Sequence, residues 1–198
     1  MFLEGILVDL VPYGKRFTEQ EHRWRNNESA FWARVGDRRP LSRASLEHWR
    51  REHAERAAQR GRLEIWFGIQ TKDGTPIGDI ALNRFWLHHR VAMLGAAIGE
   101  PEYWGGGYGT DALLLVVDYA FDWLDLRRLW LQTMGSNVRV VRQMEKVGFT
   151  LEARQRRATY ADGVWQDLLC YGLLREEWPG REALVERLGL RPRDWRVP

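Results

Sequence analysis

The sequence predicts an α+β fold built around one mixed, mostly antiparallel, twisted sheet of about seven strands flanked by helices. Strand-like runs stand on both sides of a long amphipathic helix, most are joined by tight turns, and no repeat or linker divides the chain. The predicted order is β-α-α-β-β-β-α-β-α-β-β-α. With 198 residues, of which 44% are hydrophobic and 29% charged, we expect a single domain over 1–198, with a helical extension over 178–198.

The first half of the chain predicts one strand, two helices and a three-strand meander. Alternating apolar and polar residues predict a strand over 6–11, ended by Pro12. Thr18, with Glu21 three residues later, predicts a capped helix up to Asn26, and apolar spacing predicts a second helix over 46–59. The meander strands are predicted at 63–70, 77–85 and Val91–Ile98.

The second half predicts two long helices, three strands and a short final helix. A glycine-rich stretch over 105–109 leads into a helix over 110–124, and the apolar stripe of that helix places four aspartates on the solvent side: Asp111, Asp118, Asp122 and Asp125. A strand over Arg128–Met134 and a helix over 137–147, ended by Gly148, follow. A hairpin of strands over 150–160 and Val164–Leu174 and a short helix after Pro179 complete the chain.

Composition excludes several kinds of protein. The net charge is only +3 and basic residues interleave with acidic ones, so we expect no nucleic-acid partner. The longest apolar run, 112–117, falls far short of the ~20 residues that cross a bilayer, and we expect no membrane association. Glu4 and Asp9 disfavour a secretory signal, so we expect a cytoplasmic protein.

Redox and metal chemistry are disfavoured as well. Cys170 is the single cysteine, so an internal disulfide is excluded. The adjacent His88 and His89 have no third ligand at suitable spacing, so we predict a turn there and no metal site.

The glycine-rich stretch is the main candidate for chemistry. A glycine turn that opens a helix gathers unpaired N–H groups at the positive end of the helix dipole, which suits phosphate, and Gly107 and Gly109 would let a phosphate approach closely. A P-loop is excluded because no lysine precedes Thr110. A dinucleotide loop over 107–112 lacks the preceding βαβ unit. A tight corner, with Trp104 and Tyr108 packed on the core, remains open.

The wider sequence resembles the GNAT superfamily of acetyl-CoA-dependent N-acetyltransferases. The resemblance rests on 98–113, on Asn137 and on the Glu-Lys-Val-Gly-Phe run over 145–149. Trp24-x-Asn26, Ile77-Gly78 and Asp162-Gly163 extend it over nearly the whole chain, and the similar branch includes ribosomal-protein, spermidine and aminoglycoside 6′-acetyltransferases. The resemblance implies the GNAT fold, acetyl-CoA as cosubstrate, and a primary amine as acceptor, either a protein N-terminus or a small molecule.

The resemblance also implies a cofactor site. Backbone amides of 105–110 would hold the pyrophosphate, the strand end at 97–99 would pair with pantetheine, and one helix would supply an amide and three cations. Trp104 stands where the family has Gln or Arg. The implied cofactor-binding residues are Ala97, Ile98, Gly99, Trp104, Gly105, Gly106, Gly107, Tyr108, Gly109, Thr110, Asn137, Arg139, Arg142 and Lys146.

Catalytic groups are less evident. Relatives place a glutamate, a tyrosine and a further acid at positions that hold Gln132, Met144 and Met93 here. The remaining candidates for general acid or base are Glu100, Asp79, Asp167 and Tyr160, each of which could equally be a cap or an ion-pair partner. A non-catalytic acyl-CoA-binding or regulatory protein is therefore the main alternative, and an oxidoreductase with a dinucleotide on the glycine loop is a third hypothesis.

Tryptophans and the C-terminal segment complete the sequence predictions. Most of the eleven tryptophans are predicted to lie in the core, among them Trp49, Trp66, Trp123 and Trp130. Three others are candidates for an acceptor pocket or a dimer contact: Trp24, Trp32 and Trp86. The apolar segment over 178–198 could cover a partner subunit in a homodimer or form a helix packed on its own sheet.

Overall fold

The computed structural model describes residues 3–60 and 64–192. The strands in these ranges are β1 (Leu3–Glu4), β2 (Val8–Pro12), β3 (Ile65–Thr71), β4 (Pro76–Trp86), β5 (Val91–Ile98), β6 (Arg128–Met134), β7 (Thr150–Ala161) and β8 (Val164–Leu174). The helices are α1 (Lys15–Trp24), α2 (Glu28–Ala33), α3 (Arg43–Arg60), α4 (Tyr108–Asp118), α5 (Val138–Val147) and α6 (Arg181–Leu188). The predicted α+β class is confirmed. Leu63, the predicted start of one strand, and 193–198 lie outside the described residues.

One sheet contains all eight strands, in the order β1-β2-β3-β4-β5-β6-β8-β7. The pairing of β5 with β6 is parallel, and the other neighbours are antiparallel. The parallel pairing runs only over Val91–Met93 of β5, against Arg128–Trp130 of β6. Beyond these residues the two strands diverge, and the sheet is open between them toward their C-terminal ends.

The main hydrophobic core lies between α4 and one face of the sheet. Because side chains of a strand alternate between faces, Ile80 and Leu82 of β4 join this core, while Asp79 contacts Arg25, just after α1. Two smaller clusters occupy the other face. Phe17 and Trp24 of α1 form one with Val11, and α2 forms the other.

The C-terminal helix α6 covers α4 of its own chain. Leu184 is fully buried, Arg181 reaches Asp111 of α4 at 3.3 Å, and Trp178 Nε1 donates to Asp118 at 2.9 Å. Of the two predicted placements for this segment, the structure shows packing on its own chain as far as Leu190.

Asp111 was wrongly predicted to face solvent. Its carboxylate is fully buried and accepts the backbone N–H groups of Leu7 at 2.7 Å and Val8 at 3.1 Å. Leu7 lies just before β2, and Val8 is the first residue of that strand. The carboxylate therefore serves as the acceptor for two buried amides at the start of β2.

Two predicted core tryptophans are largely exposed. Trp123 is 69% exposed because a π-helical turn, Tyr119–Trp123, follows α4 and rotates the residues after it away from the predicted stripe. Trp49 is 41% exposed, and its ring meets that of Trp66 edge to face, with centroids 6.5 Å apart.

Candidate active site

The gap between β5 and β6 is the centre of the candidate site. Helix α2, which sequence reasoning missed, spans it: Ser29 Oγ donates to Ile98 O at the end of β5 (2.8 Å), and Phe31 packs with Met134 at the end of β6. Asn27 caps α2 by accepting the N–H of Ser29 at 2.9 Å, and its own amide donates to Gly99 O at 2.7 Å. The sequence signal was present, since Asn is a preferred N-cap residue.

The glycine-rich loop leads from the end of β5 into α4, as predicted. Gly105 and Gly107 have φ of +77° and +91°, values that favour glycine. A Cβ on Gly107 would meet the side chains of Leu7 and Leu190 at 3.1 and 3.2 Å, so its missing side chain serves backbone conformation and core packing. Gly109 is different. It lies in the first turn of α4 beside Ile98 and Gln143, with room for a Cβ at ordinary contact distance.

Helix α5 lines the opposite side of the gap. Asn137 is buried at its N-cap, and its side chain does not bond the helix amides. Arg139 stacks on the indole of Trp104, with 3.6 Å from the guanidinium carbon to the ring centroid, and Trp104 Nε1 donates to Ile98 O at 2.9 Å. Trp104 therefore connects the end of β5 to α5.

The other two cations of α5 lie on the same face as Arg139. Arg142 and Lys146 are exposed and follow at helical spacing. Neither has an ion pair within residues 3–60 and 64–192, so their charges are available to an anion.

Glu100 is held by two side chains of the α1 region. Arg23 forms a bidentate ion pair with it, including Nη1 to Oε2 at 2.6 Å, and Trp24 Nε1 donates to Oε1 at 2.8 Å. The carboxylate is 5% exposed. Both carboxylate oxygens of Glu100 are therefore engaged, and they fix the segment after β5 to the α1 region.

Asp79 is a buried carboxylate beside the end of β5. It lies opposite Ala97 across the β4–β5 pair and is buried, with Arg25 Nη2 at 3.7 Å from Oδ1. Burial raises the pKa of this carboxyl, and Arg25 opposes that effect only in part. A raised pKa brings a carboxyl nearer the range in which it exchanges protons at neutral pH.

Asp167 and Tyr160 lie apart from this pair, on the β7–β8 hairpin. Asp167 Oδ1 accepts the N–H of Arg157 at 2.9 Å where β7 bulges, and Arg154 lies 3.7 Å from its other oxygen. Tyr160 is 59% exposed, and its ring packs on Trp165. The structure thus brings Asp79 and Glu100 to the end of β5 and leaves the other two candidates on the hairpin.

The three candidate pocket tryptophans have different surroundings. Trp24 is buried against Glu100, and Trp86 is 64% exposed at the far end of β4. Trp32 lies 5.9 Å from Arg139, and its Nε1 is buried without a hydrogen-bond partner in the described part of the chain. Of the three, Trp32 has a polar atom that a ligand could satisfy.

Comparison with known families identifies the class of protein. Residues 10–150 match the family model described as an acetyltransferase (GNAT) domain. The chain belongs to this family, which is a family of acetyltransferases that use acetyl-CoA. The resemblance seen in the sequence is confirmed.

Individual relatives agree with that assignment. The chain is 31% identical over 138 residues to "Putative ribosomal N-acetyltransferase YdaF" of Bacillus subtilis, covering 69% of this chain and 70% of that protein. It is 30% identical over 120 residues to spermidine N(1)-acetyltransferase of Escherichia coli, covering 61% and 64%. A spermidine N-acetyltransferase from Vibrio cholerae, solved with CoA and spermine, has the same fold, with a TM-score of 0.76 over 86% of this chain and 97% of that one at 22% identity.

Within residues 3–60 and 64–192, no helix has both the length and the apolar character of a membrane span.

Proposed function

We propose that this chain transfers the acetyl group of acetyl-CoA to a primary amine, either a protein N-terminus or a small molecule, at the gap between β5 and β6. One observation carries the proposal: the parallel strands separate after three residue pairs, directly beside the glycine-opened N-terminus of α4. β6 pairs with β5 only up to Met93, so backbone groups of β5 beyond Met93 can meet a pantetheine arm, apart from Ile98 O, which Ser29 and Trp104 occupy. The helix terminus offers N–H groups to a pyrophosphate.

The residues around the gap fit acetyl-CoA. The amides of 105–110 would hold the pyrophosphate, and the side chain of Asn137 is buried without bonding its own helix. Arg139, Arg142 and Lys146 would face the phosphates. When bound, the thioester supplies an activated acetyl group, and the chain supplies position and charge.

Acetyl transfer also requires a neutral amine. Asp79, with its raised pKa, is our candidate for taking the proton from the amine, directly or through water. Glu100 would act through position, since Arg23 and Trp24 occupy it. A backbone N–H near the end of β5 would donate to the developing oxyanion.

The alternative of a non-catalytic acyl-CoA-binding protein rests on two positions. Gln132, at the usual glutamate position, donates its amide to Cys170 Sγ at 3.3 Å, and Met144 is buried in the core. Neither side chain can transfer a proton at neutral pH. Release of CoA thiol with any amine would exclude this alternative.

The test is calorimetric titration with acetyl-CoA, CoA and NAD, on the protein and on Gly109→Leu. Gly109 has a helical backbone and room for a Cβ, so the variant should fold, and its longer side chain should extend into the gap. We expect acetyl-CoA binding to weaken at least tenfold, about 1.4 kcal/mol. Glu182→Leu, at the second position of α6 and exposed, is the matched control and should bind normally.

Other results would redirect the assignment. Equal acetyl-CoA affinity in Gly109→Leu would place the cofactor elsewhere. Binding of NAD in preference to both coenzymes would favour the dinucleotide hypothesis.

Homodimerisation and cytoplasmic location remain parts of the proposal. Because α6 covers its own chain, the homodimer proposal now rests on the outer edge of β7, which is exposed along almost its whole length. Light scattering at several protein concentrations would test it, and a monomer mass throughout would reject it.

A further inference from the structure

We propose that the amine acceptor of this acetyltransferase carries a carboxylate close to its amine, and that arginines beside α2 bind that carboxylate. This inference rests on the proposed function and names its substrate class. It starts from a cavity of about 110 Å³, here called the arginine pocket. The pocket is lined by Arg25, Asn26, Asn27, Ala30, Phe31, Arg34, Asp37, Arg38, Arg39 and Pro40.

The arginine pocket is tied to the strand ends that form the gap. Asn27 donates to Gly99 O at 2.7 Å, and Arg25 reaches Asp79 at 3.7 Å. Phe31 packs against Met134 at the end of β6. A ligand in this pocket would therefore lie next to the residues that we propose for acetyl transfer.

The lining of the pocket has an excess of positive charge. It includes four guanidinium groups and a single carboxylate, Asp37. Arg34 and Arg39 share that carboxylate, each with Nη2 2.7 Å from Oδ2. Arg38 is bound instead to Asp162 of the β7–β8 turn, at 2.6 and 2.8 Å. Arg25 is paired with Glu21 at 3.4 Å and with Asp79 at 3.7 Å. The excess positive charge of the pocket therefore lies at Arg34 and Arg39, which share one carboxylate and could bind a second one.

The β7–β8 hairpin, which faces the arginine pocket, also carries arginines on its surface. A second, shallow concavity is lined by Arg156, Arg157 and Asp167, and Asp167 already accepts the N–H of Arg157. The Arg38–Asp162 ion pair connects the two regions. An anionic acceptor would thus find arginines on both sides of its approach.

The charge of the arginine pocket is unfavourable for binding a polyamine, which is cationic. Asp37, the carboxylate that lines the pocket, is paired with arginines, as are the nearby Asp79 and Asp162. The exposed carboxylate of Glu28 on α2 lies within the electrostatic field of Arg38 and Arg139. Repulsion between like charges adds a further cost. The acceptor class therefore differs from that in the names of the spermidine acetyltransferase relatives.

The experiment compares a series of peptide acceptors of different charge with two small amines. Thiol release is measured, at saturating acetyl-CoA, for short peptides whose free N-terminal serine is followed by glutamates, glutamines or lysines, together with spermidine and free glutamate. We expect kcat/KM to fall at least about tenfold from the acidic to the basic peptide. The free glutamate arm distinguishes a small amino acid from a protein N-terminus as the source of the carboxylate.

Variants of Arg38 test whether the arginine pocket causes the preference for acidic peptides. Arg38→Gln should lower kcat/KM for the acidic peptide about fivefold or more and should lower it less for the neutral one, while Arg38→Lys should restore part of the loss. Arg90→Gln is the matched control, because Arg90 forms an exposed ion pair with Asp125 at 2.6 Å near the β4–β5 turn.

The outcomes separate the two proposals. Spermidine or the basic peptide reacting as well as the acidic one would overturn this inference and leave acetyl transfer intact. Absence of both acetyl-CoA binding and turnover would reject the proposed function itself. If acetyl-CoA binds without turnover, calorimetry of the peptides on the CoA complex decides, and equal affinities would overturn the inference.

Discussion

At the scale of single residues, Asp111 links three separate parts of the chain. It belongs to α4, accepts two amides at the start of β2, and lies 3.3 Å from Arg181 of α6. Sequence periodicity cannot find such a role, because a stripe pattern counts apolar residues and treats an aspartate as solvent-facing. The two amides that Asp111 accepts belong to residues more than 100 positions earlier in the chain, so only the tertiary structure reveals this contact.

We predict that Asp111→Ala lowers the free energy of unfolding by about 3 kcal/mol, because two buried N–H groups and a half-buried arginine lose their acceptor. Urea denaturation measures this. Asp122→Ala, on the π-helical turn with its side chain 63% exposed, is the control and should change the value by less than about 0.5 kcal/mol. Equal losses in both variants would contradict the buried role of Asp111.

For Tyr13 we predict that a substitution raises the free energy of unfolding, in contrast to Asp111→Ala. Its hydroxyl is buried without a hydrogen-bond partner in the described structure, and burial, followed by the charges of Asp79 and Glu21, raises the pKa of Tyr13. Above pH 10 the unfolded chain loses this proton while the folded one retains it, so stability falls as pH rises. Tyr13→Phe removes both the unpaired hydroxyl and the titration.

We therefore expect Tyr13→Phe to be about 1 kcal/mol more stable than the wild type at pH 8, with the difference growing above pH 10. Urea denaturation midpoints of both proteins, measured at pH 8 and above pH 10, test this. A variant less stable than the wild type would show that the hydroxyl has a partner, and a difference independent of pH would show that the pKa of Tyr13 is not raised by folding.

At the scale of elements, α2 is the short helix on which the site depends. It connects the ends of β5 and β6 through Ser29 and Phe31. We predict that Ser29→Ala lowers kcat/KM for the amine about five- to tenfold, because α2 loses a 2.8 Å hydrogen bond to Ile98 O. Ser45→Ala removes a comparable exposed hydroxyl contact at the start of α3 and should leave kcat/KM unchanged. Identical kinetics in the two variants would mean that α2 does not shape the site.

Elements bounded by glycines could be predicted from the sequence, and elements governed by local hydrogen bonds could not. The bounds of β5, β6 and β8 match their predictions, and each apolar run adjoins a glycine that marks one of its ends: Gly99, Gly135 and Gly163. Thr18 was wrongly predicted to cap α1. The helix begins at Lys15 after Gly14, and the Thr18 hydroxyl donates to Lys15 O inside the first turn.

The candidate site was predictable where glycines and helix ends define it and less so where tertiary contacts do. The glycine loop and Asn137 lie at helix starts, which local sequence reveals. The engagement of Glu100 by Arg23 and Trp24 joins residues more than 75 positions apart, so no spacing rule could have indicated it. Helix α2 was missed because six residues are too few for a periodic signal.

At the scale of the whole molecule, a modest net charge of +3 conceals an uneven distribution. Arginines gather around the arginine pocket and the facing hairpin. We predict that kcat/KM for an acidic acceptor falls severalfold when ionic strength rises from about 0.05 to about 0.3 M, because salt screens this field. The neutral peptide, at saturating acetyl-CoA, is the control and should change little. A parallel decline in both would place the salt effect outside acceptor recognition.

The strands lie in the sheet almost in the order in which they are synthesised. β1 to β5 are consecutive neighbours, and β6 to β8 form a second group, with three residue pairs joining β5 to β6. Short turns join β3 to β4 and β4 to β5, whereas β5 and β6 are connected through α4. In the described sheet, the three β5–β6 residue pairs are the sole link between the two groups of strands. The gap at which we place substrates is therefore also the seam between the two halves of the sheet.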